Sequence, residues 1–252
     1  MASTPRAHKE RLDRVLMVQG LISSREAAAR TVLAGGVSVD GIMVDKPAKL
    51  VPLDARIEVV QPALFVSRSG DKLAAALDAF NFDPRGLIGL DVGCSTGGFT
   101  DCLLQRGATH IYAVDVGYGQ FDWKLRQDSR VVLLERTNIR YVGRVAVPDP
   151  IDLAVIDVSF ISLTLVLPAV VRLLKRSAMV VALVKPQFEV GKGQVGRGGI
   201  VRDDAQREAV TEKVIACAAG LGLQLKGVLD SPVTGRKGNR EILVGFARGI
   251  TS

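Results

Sequence analysis

Four ionisable residues, Lys72, Asp157, Lys185 and Glu241, lie far apart in the 252-residue chain but combine two amines with two carboxylates. Such a set suits removal of a proton from a poor nucleophile, such as a ribose hydroxyl. A lysine, with a reference pKa of ~10.4, acts as a base only where its charged form is disfavoured. A second lysine nearby and partial burial push in that direction, and carboxylates orient the amine while opposing the shift. Lys185 is the candidate base, with Lys72, Asp157 and Glu241 orienting it and the hydroxyl. A second feature is Asp91-Val-Gly93-Cys-Ser-Thr-Gly97-Gly98-Phe-Thr100. Its glycines let backbone turn sharply and approach a ligand with no Cβ in the way. The spacing is not the G-x-G-x-x-G of a dinucleotide fold, and no Gly-Lys-Ser/Thr follows, which argues against an ATPase phosphate loop. Asp115 stands 22 residues after Gly93, where an acid that bonds the ribose of a nucleoside belongs. The candidate nucleoside contacts are Asp91, Gly93, Ser95, Thr96, Gly97, Gly98, Phe99 and Asp115, together with Asn138.

The elements that must position these residues alternate. Leu87–Gly93, Ile111–Val116, Ile151–Val158, Ala178–Lys185 and Leu223–Asp230 read as apolar strands, with helices at Leu163–Lys175 and Asp203–Ala219. That rhythm predicts an α/β domain with a mostly parallel twisted sheet and helices on both faces. Glu241–Ala247 reads as a last strand with no helix before it, so it should run antiparallel. Its first residue, Glu241, then shares an edge with Asp157 and Lys185, which close two parallel strands. That edge is where open α/β sheets hold their sites. Lys72 opens a helix starting near Ser69 and can reach the same crevice.

Residues 8–62 differ in character. Lys9–Gln19 carries Leu12, Val15 and Leu16 on one helical face, and Gly20 supplies a stop. Ser23 and Glu26 form a capping-box pattern for a second helix running toward Gly35 and Gly36. Asp40-Gly41, between Val37–Val39 and Ile42–Val44, is a hairpin signal. A small α+β module over 8–62, a linker over 63–68 and a larger domain over 69–252 follow.

Taken together these motifs resemble the TlyA family, also known as haemolysin A, of bacterial RNA 2′-O-methyltransferases. The resemblance rests on Arg11-Leu-Asp13, Gly20-Leu-Ile-Ser-Ser-Arg25, Val66-Ser-Arg68, Asp91 to Thr100, Asp157-Val-Ser-Phe-Ile-Ser-Leu, Val184-Lys-Pro-Gln-Phe-Glu189 and Lys237-Gly-Asn-Arg-Glu241. It implies an S-four-type RNA-binding module at the N-terminus and a Rossmann-like, FtsJ-like methyltransferase domain that uses S-adenosyl-L-methionine. The Lys-Asp-Lys-Glu tetrad of that domain falls on Lys72, Asp157, Lys185 and Glu241. It also implies methylation of a cytidine ribose in large-subunit ribosomal RNA and, in longer members, small-subunit RNA, so ribosomal RNA or ribosomal subunits are the expected partners. Ser69, where a second glycine is common, and Cys94, where alanine is usual, depart from the family pattern.

Charge and composition agree with an anionic partner. The chain carries 33 Lys and Arg against 26 Asp and Glu, a net +7. Arg6, Lys9, Arg11, Arg14, Arg25 and Arg30 cluster in the small module as candidate phosphate contacts. Arg68, Lys192, Arg197, Arg236, Lys237 and Arg240 are further candidates near the reactive edge, and the glycines at 191, 193, 196, 198 and 199 suggest a loop that orders on RNA. Aromatic residues are 5%, which favours recognition of folded RNA by shape over broad stacking surfaces. Three cysteines without a CxxC pair suit a reducing, cytoplasmic compartment, and with two histidines they suggest no metal site. The longest charge-free apolar run, Val158–Val171, falls short of the ~20 residues of a membrane span and contains Pro168. No obligate protein partner is evident. Membrane lysis, non-catalytic RNA binding, and methylation of a base or of transfer RNA are the competing readings.

Overall fold

The computed structural model describes residues 9–33, 35–59, 64–191, 199–234 and 238–249. The chain forms two compact units that divide between Ala63 and Leu64.

The first unit contains β1 (Lys9–Arg11), α1 (Leu12–Val18), α2 (Arg25–Leu33), β2 (Val37–Val39), β3 (Ile42–Met43), β4 (Leu50–Pro52) and β5 (Ile57–Val59). Its core joins Leu12, Val15 and Leu16 of α1 to Ala28, Val32, Val37, Val51 and Ile57. The hairpin forms as its Asp-Gly pair dictates, with Asp40 at φ 51° and Gly41 at φ 79°. Two expectations are corrected here. Lys9–Arg11 is a strand paired antiparallel with Leu50–Pro52, not helix, because sheet bonding outweighs the weak local pattern of three charged residues. The second helix is capped by Ser24, whose Oγ accepts the Ala27 amide at 3.2 Å, rather than by Ser23. β4 and β5 had no sequence signal strong enough to expect them.

The second unit begins before the expected domain start. Phe65 is buried, and the Val66 amide donates to Asp101 Oδ2 at 2.8 Å, so residues 64–68 pack into this unit instead of forming a linker. It comprises α3 (Ser69–Phe80), β6 (Ile88–Val92), α4 (Gly98–Gln105), β7 (His110–Val114), α5 (Trp123–Arg126), β8 (Val131–Leu134), β9 (Ile151–Ile156), α6 (Leu163–Val171), β10 (Leu174–Val184), α7 (Pro186–Glu189), α8 (Asp204–Gly220), β11 (Leu223–Asp230) and β12 (Ile242–Arg248). The seven strands lie in the order β11-β12-β10-β9-β6-β7-β8. β8, β7, β6, β9 and β10 are parallel neighbours, while β12 runs antiparallel between β10 and β11, as its missing crossover helix requires. Alternation along β9 sends Leu153 and Val155 to the face covered by α3 and α4, and Ala154 and Ile156 to the face covered by α6 and α8. The second unit is thus a mostly parallel, Rossmann-like sheet with helices on both faces, and the first is a small α+β module. β8 carries no expectation from the sequence, and α6 stops at Val171 rather than Lys175: Leu174 already pairs with Ile151, ahead of a register shift. Among the described residues no helix is long and apolar enough to cross a membrane.

Candidate active site

Strand direction brings the reactive residues together. Asp157 and Lys185 directly follow β9 and β10, Glu241 directly precedes antiparallel β12, and Lys72 lies in the first turn of α3. All four line one cavity of about 860 Å³ at the carboxyl edge of the sheet. They sit there as two pairs. Lys72 Nζ donates to Glu241 Oε2 at 2.6 Å, with side-chain exposures of 11% and 4%. Lys185 Nζ lies 2.6 Å from Asp157 Oδ1. That carboxylate oxygen has no aligned hydrogen bond, so the contact is an ion pair held by distance rather than by lone-pair direction. Lys185 Nζ also donates to Ser159 Oγ at 2.9 Å.

The glycine turn forms the other wall. Gly93 has φ 85°, and a Cβ there would press into the Asp157 carbonyl, with its carbon at 2.9 Å and Val158 N at 3.2 Å. Only glycine lets these two backbones meet. The Asp157 amide donates to Val92 O at 2.9 Å, which ties the loop after β9 to the turn after β6. Asp115, at the end of β7, accepts the Ser95 amide at 2.8 Å on Oδ2 and the Gly117 amide at 2.6 Å on Oδ1. Each ionised carboxylate oxygen has two lone-pair sites, so both retain capacity for a ligand's hydroxyls.

Of the expected nucleoside contacts, Gly93, Ser95, Thr96, Phe99, Asp115 and Asn138 line the cavity. Asp91, Gly97 and Gly98 do not. Asp91 is wholly buried beneath the turn, where Oδ2 accepts Thr100 N at 3.0 Å and Thr100 Oγ1 at 2.7 Å, pinning the start of α4. Burial, only partly offset by Thr100, pushes its carboxyl up to about 7, and Asp91 Oδ1 has no partner. Gly97, at φ 95°, makes room for Leu125 and Phe121, and Gly98 for the hydroxyls of Ser67 and Ser69. Ser69 thus begins α3 packed on α4, bonded to Ser67 at 2.7 Å. Burial pushes the Cys94 thiol up, which leaves it in the neutral form and unreactive.

Several lining residues carried no expectation. Ser159 and Phe160 follow Asp157, and Gln187 and Phe188 follow Lys185. Phe160 has φ 64° and is 89% exposed, its ring 4.9 Å from that of Phe188. Gln187 Oε1 is buried without a hydrogen bond. Glu189 closes the two loops together, accepting Ser162 Oγ at 2.6 Å and Leu163 N at 2.7 Å, and burial raises its carboxyl. A lone aromatic residue just past a strand end was the available signal for Phe160.

The basic residues divide. Arg68 is exposed and lines the cavity. Arg240 does not; it pairs with Asp230 at 2.9 Å in a groove beside α8. In the first unit, Arg11 and Arg25 both bind the buried Asp13, at 2.7 and 3.2 Å, and Arg14 pairs with Glu10 at 3.2 Å, while Lys9 and Arg30 are exposed. Arg11, first, then Arg25 hold the Asp13 carboxyl down at about 2 against the opposing effect of burial. Arg6, Lys192, Arg197, Arg236 and Lys237 lie outside the described residues, as does most of the glycine-rich loop. Among the described residues no cluster of three or more His, Cys, Asp or Glu is placed to hold a metal.

Comparison with known proteins places this geometry. Residues 65–248 match the family model of FtsJ-like methyltransferases, and residues 10–57 match the S4 domain. The chain is 48% identical to the 16S/23S rRNA (cytidine-2′-O)-methyltransferase TlyA of Mycobacterium tuberculosis, over 93% of this chain and 88% of that one. It is 41% identical to Hemolysin A of Brachyspira hyodysenteriae, over 94% and 99% respectively. A solved structure from Streptococcus thermophilus, described as a hemolysin, superposes with a TM-score of 0.74 at 44% identity, covering 96% of this chain and 90% of the other.

Proposed function

Because the chain belongs to the FtsJ-like methyltransferases, within their TlyA family, we propose that it methylates the ribose 2′-hydroxyl of a cytidine in ribosomal RNA, in the cytoplasm, with S-adenosyl-L-methionine as donor. The observation that carries this reading is the meeting of two lysine–carboxylate pairs on one cavity, beside a glycine turn and a strand-end aspartate. The cavity's volume falls in the range of small-molecule sites. Gly93 gives the close backbone approach that a bound nucleoside needs, and Asp115 keeps free lone pairs for ribose hydroxyls. The residues therefore fit the donor, held by Gly93, Ser95, Thr96, Phe99, Asp115 and Asn138. When bound, S-adenosylmethionine supplies an electrophilic methyl group on a sulfonium.

The chain's own residues do the rest. Lys185 takes the 2′-hydroxyl proton, and Asp157 holds its amine at the cavity. Lys72 and Glu241 form a second, more buried pair that orients the hydroxyl. Phe160 and Phe188 offer an aromatic ledge at the mouth, suited to an unstacked base of the RNA. Arg68 at the cavity, with Lys9 and Arg30 on the S4 unit, contributes phosphate contacts. The remaining arginines of that unit act on RNA only as their bonds to Asp13 and Glu10 allow.

The test is transfer of labelled methyl to ribosomal RNA, followed by mapping of 2′-O-methyl positions. Wild-type protein should place the label on a cytidine ribose, and Lys185→Ala should lose on the order of a thousandfold in rate. Label recovered on a base, or an active Lys185→Ala protein, refutes the assignment.

A further inference from the structure

The two lysines that line the cavity are held differently. Among the described residues, Lys72 Nζ has one hydrogen-bond acceptor, Glu241. Lys185 Nζ has Asp157 at 2.6 Å and, in addition, Ser159 Oγ at 2.9 Å. Among the described residues, the bond to Ser159 is the one aligned hydrogen bond on that amine. This distinction matters for a base. A neutral amine has two N–H groups and one lone pair, and rotation about Cε–Nζ decides where the lone pair points. The ion pair with Asp157 attracts Nζ without fixing that rotation. A directed bond to a hydroxyl fixes it.

We propose that Ser159 is a positioning residue that turns the Lys185 amine so its lone pair faces the bound 2′-hydroxyl. One N–H is taken by Ser159 and one faces Asp157. The third tetrahedral position, carrying the lone pair, is left on the cavity that Lys185 lines. The proton then passes from the ribose oxygen to Lys185 Nζ as that oxygen bonds to the methyl carbon and the carbon–sulfur bond breaks. Positive charge passes from the sulfonium to the Lys185 ammonium, which returns its proton to water.

The loop that carries Ser159 is built to hold it still. Its start is bonded to Val92 O through the Asp157 amide and pressed against Gly93, and its far end is fastened by Glu189 at Ser162 and Leu163. Phe160 keeps a positive φ between these anchors, a conformation that persists only where surrounding contacts enforce it. Ser159 itself is exposed and its hydroxyl packs into no core, so its replacement should leave folding intact.

The inference rests on Lys185 being the base, and the experiment separates the two. Single-turnover methyl transfer at saturating ribosomal RNA and S-adenosylmethionine is measured for the full chain and for Ser159→Ala, Ser159→Thr and Lys185→Ala. Loss of one orienting bond should slow Ser159→Ala on the order of 10- to 100-fold. The RNA KM and the donor Kd should stay within about threefold, and Ser159→Thr should recover most of the rate. An unslowed Ser159→Ala beside an inactive Lys185→Ala overturns the role of Ser159 alone. So does a change confined to the RNA KM, which would make Ser159 a substrate contact, or a Ser159→Thr protein as slow as Ser159→Ala. An active Lys185→Ala removes the base assignment and this inference with it.

Discussion

Gly93→Ala should damage the catalytic pair without touching any ionisable group. The residue sits at φ 85°, where a Cβ costs about 1–2 kcal/mol. That Cβ would also press into the Asp157 carbonyl, with the carbonyl carbon at 2.9 Å and Val158 N at 3.2 Å, against ordinary contacts of 3.4 Å or more. Because both neighbours are backbone, no side chain can swing aside, and the loop after β9 must retreat by roughly half an ångström or more. Overpacking of this kind adds about 1–3 kcal/mol, for a total of roughly 2–5 kcal/mol. At about 2–4 °C per kcal/mol for a unit of this size, the melting temperature should fall by roughly 4–20 °C. Moving Asp157 also moves Lys185 and Ser159, and a displacement near 1 Å can cost on the order of a hundredfold in rate. Two controls isolate the terms. Gly119→Ala has φ 73° and nothing within 4 Å, so it should carry only the backbone cost and keep its activity. Gly97→Ala meets Leu125 and Phe121 side chains, which can move, so it should lose stability more than rate. Calorimetry and single-turnover transfer, run well below the lowered transition, decide. If folded Gly93→Ala matches wild type in rate, the coupling between turn and catalytic loop is wrong.

Two further perturbations probe Asp91 and Phe160. Asp91 has its carboxyl raised to about 7 in the fold against 3.8 unfolded, so the folded state holds a proton across that window and its stabilising effect is lost as pH rises through about 7. Asp91→Asn should therefore flatten the fall in melting temperature between pH 5 and pH 8, and an unchanged slope would contradict the burial argument. Phe160→Ala removes an exposed ring, so stability should hold while RNA affinity weakens by roughly 5- to 100-fold, the worth of one stacked base; wild-type RNA affinity in that protein would remove the aromatic ledge from the interface.

The sequence revealed where chain direction decides, and failed where partners decide. Asp157, Lys185 and Glu241 could be set on one rim because parallel strands end, and an antiparallel strand begins, at the same edge. Asp115 was legible from its distance to Gly93. Which lysine pairs with which acid was not, because that depends on side-chain reach across the cavity. Nor was the concealment of Asp91, since the glycine motif reads alike whether its acid faces a ligand or caps α4 through Thr100. Arg11 and Arg25 looked like phosphate contacts because charge along a helix does not disclose that Asp13 between them is buried and binds both. Val131–Leu134 was missed as an edge strand of only four residues, too short to show a period.

The unequal setting of the two pairs also limits what single substitutions can establish. Glu241 is 4% exposed and Lys72 11%, so removing either leaves a charge almost without solvent and without its partner. That alone can destabilise by about 3–5 kcal/mol. Inactivity of Lys72→Ala or Glu241→Ala is therefore the expected result whether or not these residues touch the reaction. The double change Lys72→Met with Glu241→Gln removes both charges at similar volume, and should recover most of the melting temperature lost by either single change. If the pair serves only the fold, transfer should recover with it. If the pair orients the hydroxyl, the protein should be stable and still slow. Stability and rate returning together would reduce the machinery to Lys185, Asp157 and the loop that holds them.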